Sequence, residues 1–355
     1  MANIKSEQPK RIEGLDLIRA LAIFLVILNH SLRTTFPVDD MAYFATVPLA
    51  SKVFYFTCFA LSAVSVPLFF LLSGYLLLPR NFDELKTKNF YKRNLLPLLL
   101  TWEMWIPLNN WLAWWYENIE FHGSVLLKNM LFIEPVHIGH SWYMPVIIGM
   151  YLFIPFVSRV LKTMSAREIF IPLSIVYFYL FIIPTVNRFR ESPFDSCLDL
   201  SFSGGLYGTY IIIGYLLNKY EYRLKGSPKF TLMLLGSIVA IVLLQLWIYH
   251  STGRAFILWF DIFLFPPMAI SIFIVLRDMT FPKIGKLIVN ISRCSFGMYL
   301  THVFVIALFL KYGIFNFVAS SELKILILSI FVYIFSFIVT MLIKKIPYLG
   351  KLLIR

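Results

Sequence analysis

Apolar runs of about twenty residues recur along most of this chain. A helix of that length matches the hydrocarbon core of a bilayer, which is about 30 Å thick. The composition agrees, because 59% of the residues are hydrophobic and only 14% are charged, whereas about a quarter of a soluble domain is charged. A transmembrane β-barrel would instead show alternating segments of about ten residues. The sequence therefore predicts an all-α, polytopic membrane protein.

We predict ten transmembrane helices in one transmembrane domain, 1–355, with short tails at about 1–11 and 344–355. The predicted spans are 15–35, 62–79, 94–116, 141–161, 168–186, 202–218, 230–250, 255–276, 287–310 and 323–343. The first run, Leu15 to Leu32, is too long for the core of a signal peptide and lacks a cleavage site, so we expect it to be retained. The segment Pro37 to Leu61 is expected to lie outside the bundle, along the interface or folded over it.

The net charge of +13 follows the predicted topology. With both termini on one side, 23 of the 32 Lys and Arg residues fall on that side, including Lys5, Lys10 and Arg11. The positive-inside rule therefore places both termini in the cytoplasm. This distribution argues against nucleic-acid binding. Cys58 and Cys197 fall outside or near the outer surface, and the sequence leaves open whether they pair.

Ionisable residues interrupt the first span. Arg19 and His30 are eleven residues apart, which places them about 16 Å apart along the helix and within roughly 20° of one face. Asp16 lies one turn before Arg19 on the same face. Ionisable groups inside a membrane helix usually face a bundle interior or a watery cavity. The alternative is a topology anchor made by Asp16 and Arg19, with His30 at the outer interface.

Other predicted spans and loops also carry polar side chains. Glu103, in the third span, requires a partner, and Arg19 or Lys92 are candidates, although a structural ion pair is the alternative. Tyr299 and His302 lie three residues apart on one face of the ninth span. Two intramembrane histidines at similar depth, His30 and His302, favour a shared polar cavity.

The predicted surface loops offer binding groups at both ends of the bundle. Lys88, Lys92 and Arg93 lie at the inner boundary, where they suit an anionic nucleotide or plain membrane anchoring. His140 and Trp142, at an outer mouth, suit a sugar or interface anchoring. We predict no metal site, because His137 and His140 have metal-pair spacing but no apparent third ligand.

Small and buried polar residues give further expectations about packing. Ser73-Gly74 and the group Gly204, Gly205 and Gly208 predict tight helix contacts. Asp261 falls inside the eighth predicted span and has no obvious partner. The chain contains no G-x-x-x-x-G-K-[ST], G-x-S-x-G or H-E-x-x-H motif, so the sequence gives no support for an ATPase, a serine hydrolase or a zincin. It also contains no sustained repeat.

Five segments in order resemble the motifs of the acyltransferase 3 family of membrane O-acyltransferases. Arg19 and His30 match its Arg-x10-His pattern. The other four similar segments are PLFFLLSGYLL in the second span, Tyr91-Lys92-Arg93 with Pro97, HSWYMPVIIGMYLFIP from His140, and SFGMYLTH from Ser295 to His302. Asn94 stands where an arginine is common in that family. The resemblance extends from about Arg11 to Ile343.

The resemblance implies an acyltransferase, an O-acetyltransferase of the class that transfers groups other than amino-acyl groups, in the bacterial cytoplasmic membrane. Acetyl-CoA or another acyl-CoA is the implied co-substrate, with no permanently bound cofactor, and a cell-surface or lipid-linked glycan is the implied acceptor. Within that reading His30 is the general base and Arg19, oriented by Asp16, binds or polarises the donor. The implied remaining residues are Lys88, Lys92, Arg93, Ser73 and Tyr75 for acyl-CoA, and Glu103, His140, Trp142, Tyr299 and His302 for the acceptor or oxyanion.

The sequence leaves several alternatives open. A covalent acyl-histidine relay competes with direct transfer, and the acyl group, the glycan and a homo-oligomeric state are undetermined. A transporter or flippase for a lipid-linked or polyanionic glycan also uses intramembrane charges and central cavities. A membrane sensor or interaction domain is a third class.

Overall fold

The computed structural model describes residues 11–120, 122–224 and 227–354, without the side chains of Tyr222 and Leu349. All regular structure within these ranges is helical. The α-helices are α1 (Glu13–Thr35), α2 (Met41–Thr46), α3 (Leu49–Ala63), α4 (Ser65–Leu77), α5 (Glu84–Phe90), α6 (Leu96–Glu117), α7 (Gly123–Met130), α8 (Tyr143–Thr163), α9 (Ala166–Tyr177), α10 (Ile183–Asn187), α11 (Gly205–Lys219), α12 (Pro228–Thr252), α13 (Phe265–Arg277), α14 (Gly285–Lys311), α15 (Ser321–Lys345) and α16 (Leu349–Leu353). Two π-helical turns, Tyr91–Leu95 and Phe178–Ile182, join α5 to α6 and α9 to α10. The basic residues Lys5, Lys10, Lys225 and Arg355 lie outside the described ranges.

Seven helical stretches in the described ranges are long and apolar enough to cross a membrane. They are Glu13–Thr35, Leu49–Leu77, Tyr143–Thr163, Ala166–Asn187, Pro228–Thr252, Gly285–Lys311 and Ser321–Lys345. The prediction of an all-helical, multi-pass membrane protein is thereby confirmed. The other three predicted spans coincide with α6, α11 and α13. Helices α11 and α13 have 15 and 13 residues, or about 22 and 20 Å at 1.5 Å per residue, so the count of ten spans remains a prediction.

The second span begins earlier than predicted. Helices α3 and α4 follow each other with a break only at Val64, and together they form the stretch Leu49–Leu77. The expectation that Pro37 to Leu61 lies wholly outside the bundle is therefore wrong from Leu49 onward. The reason is that Leu49–Ala63 carries one charge, Lys52, among apolar and aromatic residues, which lets it continue the apolar helix.

The start of the eighth predicted span is not helical. Helix α13 begins at Phe265, and the segment before it is irregular yet buried, with Leu258 and Ile262 fully covered. Irregular backbone in a membrane protein is tolerated where protein surrounds it. Asp261 lies in this segment, where its Oδ2 accepts a hydrogen bond of 2.8 Å from Arg188 Nη2. The expectation that Asp261 sits in a span without a partner is therefore wrong.

Helices α4 and α11 are in close contact through two glycines. A Cβ on Gly74 would lie 1.9 Å from the carbonyl oxygen of Ile211, and one on Gly214 would lie 2.2 Å from that of Leu71. The prediction for Gly74 is confirmed. Gly204 and Gly205 instead have φ angles of 79° and 59° and form the turn before α11, because only glycine adopts such angles without strain. They make no tight helix contact.

The segment after α15 folds back onto α6. Thr101 Oγ1 donates a 2.9 Å hydrogen bond to the carbonyl oxygen of Leu352, and Trp105 Nε1 donates one of 2.8 Å to that of Leu353. Ile354 is 2% exposed. The predicted tail 344–355 therefore contains a packed helical turn, α16. Cys58, Cys197 and Cys294 are unpaired.

Candidate active site

Helix α1 presents its polar residues to two adjacent cavities. Arg19 lines one cavity, and His30 and Arg33 line the other. The rest of α1 is mostly buried against α3, α4, α13, α14 and α15, so the helix is central to the bundle. The prediction that Arg19 and His30 share a polar face inside the bundle agrees with this placement.

The cavity lined by Arg19, called here the Arg19 cavity, has a volume of about 290 Å³. Its walls come from α1, α4, α6, α8 and α14. They are formed by Arg19, Phe69, Leu72, Ser73, Leu76, Leu77, Arg80, Leu98, Tyr143, Ile147, Tyr151, Ser295, Phe296 and Tyr299. Arg19 and Arg80 carry the only formal charges in this lining, so the cavity favours an anionic ligand.

The cavity lined by His30, called here the His30 cavity, has a volume of about 360 Å³. Its walls are formed by Val26, Asn29, His30, Arg33, Ser65, Val66, Phe69, Gly139, His140, Trp142, Tyr143, Trp259 and Tyr299. Arg33 is the one lining residue with a fixed charge. Aromatic rings and neutral polar groups make up much of the remaining surface.

Three side chains separate the two cavities and line both of them: Phe69, Tyr143 and Tyr299. The ring centroids of Tyr143 and Tyr299 are 5.4 Å apart, and those of Phe69 and Tyr143 are 6.4 Å apart. These three aromatic residues, called here the partition, lie at the junction of the two cavities.

Three histidines from different elements meet beside the His30 cavity. The ring centroid of His302 lies 5.1 Å from those of His30 and His140, and the His30 and His140 centroids are 6.3 Å apart. This places His30 and His302 together, as the sequence suggested. The described residues hold no group of three or more His, Cys, Asp or Glu side chains arranged to bind a metal ion. His137, three residues before His140, is exposed and faces Glu117 instead.

The hydrogen bonds of these histidines fix where protons are held. His302 Nδ1 lies 2.6 Å from the carbonyl oxygen of Tyr299, and since a carbonyl only accepts, Nδ1 carries the proton. In the neutral ring Nε2 is then an acceptor, and it is buried without a partner among the described residues. Burial, with a smaller effect from His30, lowers the pKa of His140 to about 3, so His140 is neutral at physiological pH.

The two tyrosines of the partition differ in the use of their hydroxyl groups. Tyr299 donates its proton to the carbonyl oxygen of His140 at 2.7 Å and so fixes the loop before α8. Within the described ranges, no hydrogen bond engages the Tyr143 hydroxyl, although its ring lines both cavities. Tyr143 can therefore donate a hydrogen bond to a ligand at the junction, whereas the Tyr299 proton is already committed.

Asp16 acts on Arg19 through a third residue. The Asp16 carboxylate accepts two hydrogen bonds from Arg11, of 2.6 and 2.7 Å, and one of 2.6 Å from Ser292 Oγ. Arg19 Nη1 donates a 3.2 Å hydrogen bond to the same Ser292 Oγ. Asp16 itself is absent from the lining of both cavities. Ser292 thus connects the Asp16 carboxylate to Arg19, while Asp16 forms its ion pair with Arg11.

Of the residues predicted to bind acyl-CoA, one lines a cavity and the others do not. Ser73 lines the Arg19 cavity, while Tyr75, on another face of α4, packs against Phe273 of α13 with centroids 5.1 Å apart. Lys88, Lys92 and Arg93 are exposed on α5 and the following π turn. Besides Arg19, this lining contains the basic residue Arg80, whose carbonyl oxygen accepts hydrogen bonds from Ser158 and Lys162 of α8.

The predicted acceptor residues are also only partly brought together. His140, Trp142 and Tyr299 line the His30 cavity, and His302 contacts it through His30. Glu103 lies half-buried in α6, away from both cavity linings, and makes no ion pair within 4 Å in the part of the chain described. The expected pairing of Glu103 with Arg19 or Lys92 is thus not found.

Several residues that line or support the cavities were not singled out from the sequence, among them Arg33, Arg80, Trp259 and Ser292. Arg33 follows His30 by three residues, so helical spacing places it on the same face. Arg80 directly follows the second predicted span, 62–79. No sequence signal distinguishes Trp259 and Ser292, because their positions depend on tertiary packing.

A family model described as an acyltransferase domain, that of acyltransferase 3, matches residues 12–345. No curated protein and no solved structure matches the chain. The matched range includes every cavity-lining residue named above.

Proposed function

Because this chain belongs to the acyltransferase 3 family, we propose that it is an integral-membrane O-acyltransferase of the bacterial cytoplasmic membrane. In this proposal an acyl-CoA, with acetyl-CoA as the first donor to test, enters from the cytoplasm at the Arg80 end of the bundle. The acceptor is a hydroxyl group of a cell-surface or lipid-linked glycan, which enters the His30 cavity from the other side. The observation that carries the proposal is the pair of cavities that share Phe69, Tyr143 and Tyr299 in their linings.

The charges support the placement of the donor. The phosphates of CoA require several cationic donors, and arginine binds phosphate with two parallel hydrogen bonds. Arg80 lies in the lining of the Arg19 cavity, and Lys88, Lys92 and Arg93 are exposed on the segment that follows it. We assign the phosphates to this basic surface and the thioester to the Arg19 cavity beside Ser73.

The chemical step joins the contents of the two cavities. The acceptor oxygen attacks the thioester carbonyl carbon while neutral His30 takes the hydroxyl proton. The negative charge moves to the carbonyl oxygen, where the unengaged Tyr143 hydroxyl is the donor we assign to it. Collapse breaks the carbon–sulfur bond, and the proton passes from His30 to the departing thiolate, which yields the ester and free CoA.

The remaining residues position the reacting groups. Tyr299 holds the His140 loop through its hydroxyl and holds His302 Nδ1 through its carbonyl. The His302 ring lies beside that of His30, with their centroids 5.1 Å apart. We therefore assign Tyr299 and His302 to the placement of His30 and of the acceptor rather than to stabilisation of the oxyanion.

The experiment uses the full chain in proteoliposomes, with acetyl-CoA labelled on the acetyl group and supplied on one face at a time. A soluble sugar acceptor is supplied on the opposite face, and labelled ester is measured. We expect ester only when the donor is on the face of Lys88 and Lys92, together with saturable binding of CoA. Movement of a glycan across the membrane without label transfer or CoA binding would instead establish a transporter and refute the proposal.

A further inference from the structure

Among the described residues, Arg33 is the one permanently charged side chain in the lining of the His30 cavity. Its guanidinium carbon lies 5.5 Å from the ring centroid of Phe59 and 5.5 Å from that of Trp259. A guanidinium held against two aromatic faces keeps its hydrogen-bond donors in one plane and in one place. Arg33 is exposed as a residue, and these two rings favour a guanidinium placed at the cavity wall.

No carboxylate in the described residues neutralises this guanidinium by an ion pair within 4 Å. Asp39, on the loop after α1, is near enough for an electrostatic attraction but is exposed. The cavity lining itself contains no acidic residue; its other polar side chains include Asn29, Ser65 and His140. An anion that enters the His30 cavity thus meets a positive charge that has no ion-pair partner within 4 Å among the described residues, beside a largely aromatic wall.

The position of Arg33 relative to His30 defines the geometry of the ligand. The two residues are three apart on α1, so their Cα atoms differ by about 4.5 Å along the helix and lie on neighbouring positions of one face. Since both residues also line the His30 cavity, one ligand of about the size of a sugar can contact both.

We propose that the acceptor is an anionic sugar whose carboxylate or phosphate binds Arg33 and thereby presents a nearby hydroxyl to His30. This inference rests on the proposed acyl transfer and narrows its acceptor to a class. Arginine is suited to the task because its planar donors match the two oxygens of a carboxylate or phosphate. A neutral sugar would use the same aromatic wall but leave Arg33 without a counter-charge.

The matched control for Arg33 is Lys52. Its Nζ lies 4.9 Å from the ring centroid of Tyr249 and 5.5 Å from that of Phe44, so it is also a cation held by aromatic rings. Lys52 is absent from the lining of both cavities. Removal of its charge tests whether a general loss of positive charge, rather than the Arg33 site, governs acceptor choice.

The test compares methyl glucuronide, glucose 6-phosphate and methyl glucoside as acceptors for the full chain in nanodiscs. We expect kcat/KM of the wild-type protein to be higher for an anionic sugar than for methyl glucoside. Arg33→Gln should lower kcat/KM for the anionic sugar by about tenfold or more, change that for methyl glucoside less than about twofold, and be partly rescued in Arg33→Lys. Lys52→Gln should match the wild type. The preferred anionic sugar decides between carboxylate and phosphate.

Two results overturn this inference while the proposed function stands: a wild-type preference for methyl glucoside, or equal loss on neutral and anionic sugars in Arg33→Gln. Failure to acylate any acceptor overturns the proposed function and the inference together. Stabilisation of the CoA-loaded protein by glucuronate or glucose 6-phosphate, measured as a shift in melting temperature, gives a readout without turnover. An equal shift in Arg33→Gln and the wild type refutes the Arg33 site.

Discussion

The two tyrosines between the cavities allow one hydroxyl to be removed at a time. Tyr143→Phe deletes a hydroxyl that has no hydrogen-bond partner among the described residues, so the folded protein should lose little stability. If this hydroxyl stabilises the oxyanion, its loss should lower kcat by about 10²- to 10³-fold, as for other oxyanion donors, which corresponds to about 2.7–4 kcal/mol. The KM for acyl-CoA should change little, because the interaction forms in the transition state.

Tyr299→Phe should show the opposite pattern. It removes the 2.7 Å hydrogen bond to the His140 carbonyl and leaves a buried acceptor unsatisfied, at a cost of about 1–3 kcal/mol. The melting temperature should fall, and the KM for the acceptor should rise because the His140 loop forms part of the His30 cavity.

The assay measures acceptor-dependent release of CoA by both variants in nanodiscs, together with their melting temperatures. The assignment of Tyr143 to the oxyanion is refuted if Tyr143→Phe retains the wild-type kcat. It is also refuted if Tyr143→Phe and Tyr299→Phe lose the same stability, since the hydroxyl of Tyr143 would then be structural.

Three further predictions concern packing, pH and donor binding. Gly74→Ala places a Cβ 1.9 Å from a carbonyl oxygen of α11, so we expect the free energy of unfolding to fall by about 1–3 kcal/mol. The control is Gly149→Ala, whose Cβ would have nothing within 4 Å and which should unfold like the wild type. Equal losses of stability in the two variants would refute the contact. The pKa of His140 is lowered to about 3 in the folded protein but is about 6.5 in an unfolded chain, so between these values the unfolded state binds more protons. The free energy of unfolding should therefore fall as the pH drops from about 6.5 towards 3. The same dependence of stability on pH in His140→Gln would contradict this prediction. Arg80→Gln should raise the KM for acyl-CoA about tenfold or more and change the KM for the acceptor little. Lys88→Gln should raise the KM for acyl-CoA by a smaller factor. A larger increase in Lys88→Gln than in Arg80→Gln would refute the placement of the phosphates at the mouth of the Arg19 cavity.

The residues of the first span were predictable because helical spacing is a local property. Arg19 and His30 had to share a face once the span was a helix, and Gly74 was a recognisable contact glycine. The segment before α13 was not predictable, since its apolar composition equally suits a helix and only the surrounding protein allows irregular buried backbone. Asp261 was misplaced for the same reason.

The pairing of polar groups was harder to predict than their presence. Asp16 was expected beside Arg19, yet Arg11 takes its carboxylate and Ser292 of α14 connects the two. Ser73 and Tyr75 were assigned together, although two positions along a helix differ by about 200° and face different neighbours. Such choices depend on which helix lies opposite, and the sequence of one helix does not contain that information.

The most direct test of the account is single-turnover acyl transfer by His30→Ala in nanodiscs, with CoA binding measured on the same preparation. We predict that acceptor-dependent transfer falls by about 10²-fold or more, as expected when a general base is removed, while the affinity for CoA and the melting temperature stay near those of the wild type. Transfer at the wild-type rate would contradict the account, because the proton acceptor would then have to be a group other than His30.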